Sequence, residues 1–165
     1  MDQSEQPEAV PRPSERQLRA EEIARRNTMW AMGVGVIPVP IVDLIGISAV
    51  QVKLLGQLSD LYDIPFSEHQ GKNLIAALLG GLGTVTGAGL LMSLLKVFPV
   101  LGHAGAFVAT PIVAGAATHA LGKIFIQHFE AGGTILDFEP EKVRAYFRQE
   151  FEKAKATVRD LARKA

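Results

Sequence analysis

NLIAALLGGLGTVTGAGLLMSLL (73–95), then Lys96, then VFPVLGHAGAFVATPIVAGAATHALG (97–122): between Lys72 and Lys123 this chain carries a single charged side chain. A helix crossing a bilayer needs roughly 20 apolar residues, and the two runs have 23 and 26. The pattern predicts a membrane-inserted helical hairpin over 73–122. Its glycines would each weaken a helix in water by up to about 1 kcal/mol relative to alanine, but small residues let helices approach closely in lipid. Gly83 and Gly87 form a G-x-x-x-G step on the first run. Ala114, Thr118 and Gly122 form a small-x-x-x-small row on the second. Lys96, Pro99 and Gly102 supply the turn, and Thr110-Pro111 predicts a kink in the second run.

On the N-terminal side, residues 1–13 are polar and acidic with three prolines, which reads as a disordered leader rather than a secretory signal. Ser14 with Gln17 makes a capping-box pattern and predicts a helix from Glu15. From Asn27 the composition turns apolar, and Trp30 is a residue suited to the boundary between water and lipid. Pro38 and Pro40 interrupt this stretch. Asp43 then caps a second helix, Leu44 to Tyr62, lying at the interface or packed on the hairpin. Its apolar face holds Ile47, Leu54, Leu55, Leu58, Leu61 and Tyr62, with Gln51, Lys53, Gln57 and Asp60 elsewhere. Asp63 and Pro65 end it, and Ser67 with Gln70 predicts a helix start near Glu68.

Beyond Lys123 the chain loops at Ala131–Thr134 and enters a last helix at Pro140, a residue suited to a first helical turn. Val143, Phe147, Phe151, Ala154, Val158 and Leu161 form a stripe on this charged helix, which therefore needs a surface to lie on. The expected organisation is a leader (1–13), a helical membrane domain (14–138) and a C-terminal amphipathic helix (139–165). The fold class is all-α. Basic residues flank the hairpin on one side, against Lys96 alone in the turn, which predicts cytoplasmic termini.

Composition narrows the function classes. Lys plus Arg and Asp plus Glu are equal at 17 each, so no basic field recruits nucleic acid. There is no cysteine, which removes disulfides, thiolate zinc sites and a cysteine nucleophile. Neither Gly71-Lys72-Asn73 nor Gly122-Lys123-Ile124 is a phosphate-binding loop, which requires Gly-Lys-Ser or Gly-Lys-Thr after an earlier glycine. No two of the four histidines stand at i, i+4, the spacing of a helical metal pair. No cofactor is expected.

Several residues together carry a resemblance: Pro38-Val-Pro40-Ile-Val-Asp43, then Gln51, Leu54, Leu58 and Tyr62, then Phe98-Pro99-Val-Leu-Gly102, then Ala117-Thr118-His119-Ala120-Leu121-Gly122. Over 24–138 the chain resembles the bacterial domain-of-unknown-function family that includes the C-terminal part of YcjF-type inner-membrane proteins and occurs fused to, or beside, Era-like small GTPases. The resemblance implies an all-helical, membrane-associated domain with a GTPase partner acting in trans, and no catalytic residues to transfer.

For His119, an ionisable group in an apolar span, two readings stand: a hydrogen bond across helices, or a proton or ion path shared with Asp43. The preferred function is a non-enzymatic module of the bacterial inner membrane. The hairpin anchors it in the bilayer, and the stripe of Val143, Phe147, Phe151, Val158 and Leu161 docks a cytoplasmic partner such as a small GTPase. The alternatives are a homo-oligomer that remodels or permeabilises membrane through its small-residue faces, and a soluble helical interaction domain.

Overall fold

The computed structural model describes residues 13–34, 40–83 and 103–164, with side chains over 13–34, 45–82 and 111–164. Its elements are α1 (Glu15–Val34), α2 (Pro40–Leu61), α3 (Glu68–Gly83), α4 (His103–Glu130) and α5 (Pro140–Lys164), with no strand among the described residues. Residues 1–12 of the leader, Pro38, Gly87, Pro99 and Gly102 lie outside this set.

Helix starts follow the local chemistry. Ser14 Oγ accepts from the Gln17 backbone N–H at 3.0 Å, satisfying a donor that the first turn leaves free. The reciprocal half of the capping box does not form, because the Gln17 amide donates to Glu21 at 3.3 Å instead. α3 and α5 begin at Glu68 and Pro140 as expected. α2 begins at Pro40, four residues ahead of the expected start. Proline loses nothing at a first helical position, where its missing N–H would have no partner in the helix. Asp43 therefore lies within the first turn instead of ahead of it, and does not occupy a capping position.

The ends are equally local. α2 stops in a Schellman motif: Asp63 has φ 58°, the Ile64 N–H donates to the Ser59 carbonyl at 2.8 Å and the Asp63 N–H to that of Asp60 at 3.3 Å. α4 stops the same way at Gly132 (φ 84°), with the Gly133 N–H on the His128 carbonyl and the Gly132 N–H on that of Phe129, both at 2.9 Å.

Contacts at individual residues give the helix directions. Gly122 meets Ala24 and Leu54, while Gly115 meets Met32 and Val158. α1 and α5 therefore run antiparallel to α4. The pairs Gln51–Thr118 and Tyr62–Glu130 place α2 parallel to it. α3 crosses from α2 to α5, where Arg144 packs on Gly81. Arg148 Nη2 donates to the Gly81 carbonyl at 3.1 Å, satisfying an acceptor in the last turn of α3. A single apolar core runs from Ala20 of α1 through Leu54, Leu55 and Leu58 of α2, Ile75 and Leu78 of α3, and Leu121 and Phe125 of α4 to Phe147 and Val158 of α5.

This packing corrects two expectations, and the middle of the expected hairpin, 84–102, lies outside the described residues. Among the described residues no helix is long and apolar enough to cross a membrane. Both flanks of the expected hairpin, Ile75 and Leu78 on one side and Ala114 to Leu121 on the other, contribute to the protein core. The small-residue row on α4 serves α1 rather than a transmembrane partner: a Cβ at Gly122 would lie 2.8 Å from Ala24 Cβ. The α5 stripe is no free docking surface either, since Phe147, Phe151, Ala154 and Val158 are buried and Val143 and Leu161 partly so. An amphipathic helix joined to the same bundle finds its apolar partner within the chain, where no association entropy opposes burial.

Candidate functional site

A layer of polar side chains crosses the middle of the bundle. Asn27, on the buried face of α1, donates to the Ile23 carbonyl at 2.9 Å and to Gln57 Oε1 at 2.7 Å. Thr28 Oγ1 donates to the Ala24 carbonyl at 2.9 Å. On α2, Gln51 is buried, contrary to its expected place off the apolar face, and its Nε2 donates to Thr118 Oγ1 at 3.4 Å. Gln51 Oε1 and Ser59 Oγ are buried without a partner among the described residues. Each such group costs about 1–3 kcal/mol when left dry, and a bound water is the ordinary remedy. The layer fixes register among α1, α2 and α4, because sliding any helix would strand these amides in an apolar core.

One turn further along α4, Lys123 Nζ reaches Glu150 Oε2 at 2.6 Å, and Lys153 Nζ takes Oε1 at 3.0 Å. The Glu150 side chain is only 4% exposed. The hydrogen bond from Lys123 holds its carboxyl below the usual glutamate range, against the opposing effect of burial. The same bond raises the Lys123 ammonium. Lys123 is half-exposed, so solvent weakens its share and Glu150 carries the coupling to stability. A depressed carboxyl stabilises the fold above its unfolded value and loses that contribution as pH falls through the folded one. Acid titration of unfolding is therefore expected to show stability falling below about pH 4.5, with a shallower fall in Glu150→Gln.

His119 is half-buried one turn before Lys123. Burial lowers its pKa first and the neighbouring Lys123 lowers it further, so the imidazole is held neutral. Asp43 is not at this level: Gln51 pairs with Thr118, and Asp43 lies eight residues earlier, about 12 Å along the axis at 1.5 Å per residue. The described residues do not bring His119 and Asp43 together as a proton path. Tyr62, at the end of α2, donates its hydroxyl to Glu130 and packs at a tilt against Phe129, ring centroids 5.6 Å apart. Burial raises its pKa, and the Glu130 bond adds to the shift. Of the remaining candidates, Gly83 closes α3, and Pro40 and Asp43 are placed in backbone only.

Two features escaped the sequence reading. The Lys123–Glu150–Lys153 cluster was signalled only by a lysine bounding an apolar run and a Glu–Lys pair at i, i+3. The loop after α4 is ordered around Asp137, whose Oδ1 accepts from the Thr134 N–H at 2.6 Å and from the Thr134 hydroxyl at 3.0 Å. The Thr134 N–H chiefly depresses its carboxyl. His128 Nε2 lies 2.9 Å from the Thr134 carbonyl and 3.2 Å from Asp137, and Phe138 stacks on Phe125 at 4.3 Å. These contacts build structure and display no nucleophile beside a general base.

No solved structure matches the chain. Magnetosome membrane protein 22 of Magnetospirillum gryphiswaldense is 38% identical over 142 residues, covering 86% of this chain and 73% of that protein. A family profile described as a domain of unknown function, DUF697, matches residues 9–156. The chain thus belongs to the DUF697 family, an uncharacterised domain family with a magnetosome membrane protein among the relatives of this sequence.

Proposed function

We propose that this protein is a non-enzymatic membrane module that holds its helical bundle on the cytoplasmic face of the bacterial inner membrane and recruits a cytoplasmic partner there, a small GTPase acting in trans. The observation that carries the membrane reading is similarity to a named membrane protein over 86% of the chain. The sequence supports it, since residues 83–110 contain Lys96 as their sole Lys, Arg, Asp or Glu. So does the packing. α3 and the C-terminal part of α4 belong to one core, so a bilayer-inserted segment between them would leave and return on one face. That is the topology of a hairpin with both termini on one side.

The GTPase rests on the family resemblance, and its docking surface has to change. With Phe147 and Phe151 in the core, a partner is left the exposed polar faces of α1 and α5. Self-association through the Gly83–Gly87 step would compete with monomeric anchoring and would appear as oligomers in detergent.

Membrane fractionation with an alkaline carbonate wash tests the anchoring. Retention in the pellet is expected, and release into the supernatant overturns it. Because the chain has no cysteine, a Leu136→Cys probe on the exposed loop reports sidedness without background. Labelling only after the cytoplasmic face is opened is expected. Crosslinking in cells should recover a small GTPase, and its absence removes that half of the proposal.

A further inference from the structure

The bundle is amphipathic along its length, and α1 and α4 each carry the gradient in their own sequence. α1 carries Glu15, Arg16, Arg19, Glu21, Glu22, Arg25 and Arg26 in its first twelve residues and no charge from Asn27 to Val34. In α4 no Asp, Glu, Lys or Arg precedes Lys123. The contacts show that these charge-free portions lie at one end. Gly115 touches Met32 near the end of α1 and Val158 near the end of α5, and Gly46 touches Val34 near the start of α2. At this end Trp30 is 60% and Ile45 66% exposed, with Met29 also exposed. Large apolar side chains gathered at one end of a bundle are unusual against water.

The last turn of α5 reaches the same end and projects beyond the Gly115 level. It exposes Arg159, Arg163 and Lys164, interrupted only by Asp160, and none of the three cations is in an ion pair among the described residues. Apolar side chains with an indole, rimmed by unpaired cations, match a headgroup boundary: the ring prefers that depth, and cations are drawn to anionic lipid. Asp43, in the first turn of α2, also belongs to this end; a protein partner of opposite charge would satisfy the cations but not the exposed Met29, Trp30 and Ile45 beside them.

We propose that this end of the bundle, marked by Met29, Trp30 and Ile45 and rimmed by Arg159, Arg163 and Lys164, seats on the headgroup layer of an anionic bilayer. The inference rests on the membrane reading above and adds to it an orientation and a lipid preference.

Trp30 is the sole tryptophan, so the native full-length chain carries its own depth probe. Reconstituted in phosphatidylglycerol–phosphatidylcholine vesicles, Trp30 is expected to shift to the blue, to resist acrylamide and to be quenched by lipids brominated near the headgroup end of the acyl chain. In the triple variant Arg159→Glu, Arg163→Glu, Lys164→Glu, loss of three cations, each worth about fivefold on an anionic surface, together with repulsion of the three new carboxylates, should lower seating by at least about a hundredfold and abolish the preference over neutral vesicles. Circular dichroism confirms that the variant folds. Vesicle-bound protein whose Trp30 remains open to acrylamide and untouched by bromine overturns the orientation and leaves the anchoring intact. Emission already blue before lipid is added, with no bromine quenching after, means that this chain or a second copy covers the end, and also overturns it. Equal quenching in neutral vesicles overturns the lipid preference. Protein that does not float with vesicles at all overturns the membrane reading itself.

Discussion

Phe147→Ala is expected to lower the unfolding free energy by about 3–5 kcal/mol, the usual cost of truncating a buried aromatic ring. Phe147 is fully buried in a core shared by all five helices, and full burial of such a ring stabilises a fold by about 1.5–3 kcal/mol before any cavity forms. α5 is rich in charge and holds to the bundle largely through Phe147, Phe151, Ala154 and Val158, so loss of the ring should loosen the whole helix. Denaturant titration followed by circular dichroism reads the shift. The result separates two roles for one residue. A docking side chain would leave stability unchanged and weaken partner capture, whereas a core side chain does the reverse at temperatures where the fold survives.

Gly122→Leu should be comparably severe for the opposite reason. Any Cβ at position 122 would lie 2.8 Å from Ala24 Cβ and 3.7 Å from Ala24 Cα. The obstruction is tied to the backbone of α1, so no rotamer change relieves it, and the helices must separate. Overpacking usually costs about 1–3 kcal/mol and sometimes more, and this site, beside the Asn27–Gln57 bond, belongs at the upper end. Separation of α1 from α4 also exposes Thr28 and Gln51 to water. Gly80→Ala is the control: among the described residues nothing beyond its own helix backbone and chain neighbours lies within 4 Å of the added methyl, and relief of glycine's helix penalty should stabilise by about 0.5–1 kcal/mol. Thermal melts of the two variants should move in opposite directions. If the Ala114–Thr118–Gly122 row instead faced lipid or a second subunit, Gly122→Leu would alter oligomeric state and leave the melting of the bundle in place.

Local chemistry was legible in the sequence wherever a few neighbouring residues settle the matter. Ser14, Ser67 and Pro140 mark helix starts because first-turn donors need an acceptor, or a residue without a donor, at those positions. Asp63 and Pro65 mark an end because the chain must leave α-helical geometry there. All-α architecture and the α5 stripe follow from a period near 3.6. The start of α2 was misplaced because Pro40 and Asp43 are both good punctuation, and the proline took the first helical position.

What faced the apolar surfaces was decided by tertiary structure. A period specifies which side chains share a face and is silent about what lies opposite. A row of Ala, Thr and Gly packs equally well against a helix in lipid or against Ala24 and Leu54 in a bundle. For the same reason Gln51 read as a surface amide until Thr118 arrived from 67 residues away to hydrogen-bond it. α1 and α4 each show a charge-free end in sequence, but that these ends lie together follows only from antiparallel packing, which brings the ends of α1 and α5 beside the starts of α2 and α4. Composition along the chain determined which segments carry no charge, and helix direction determined where in the folded molecule the described ones are gathered.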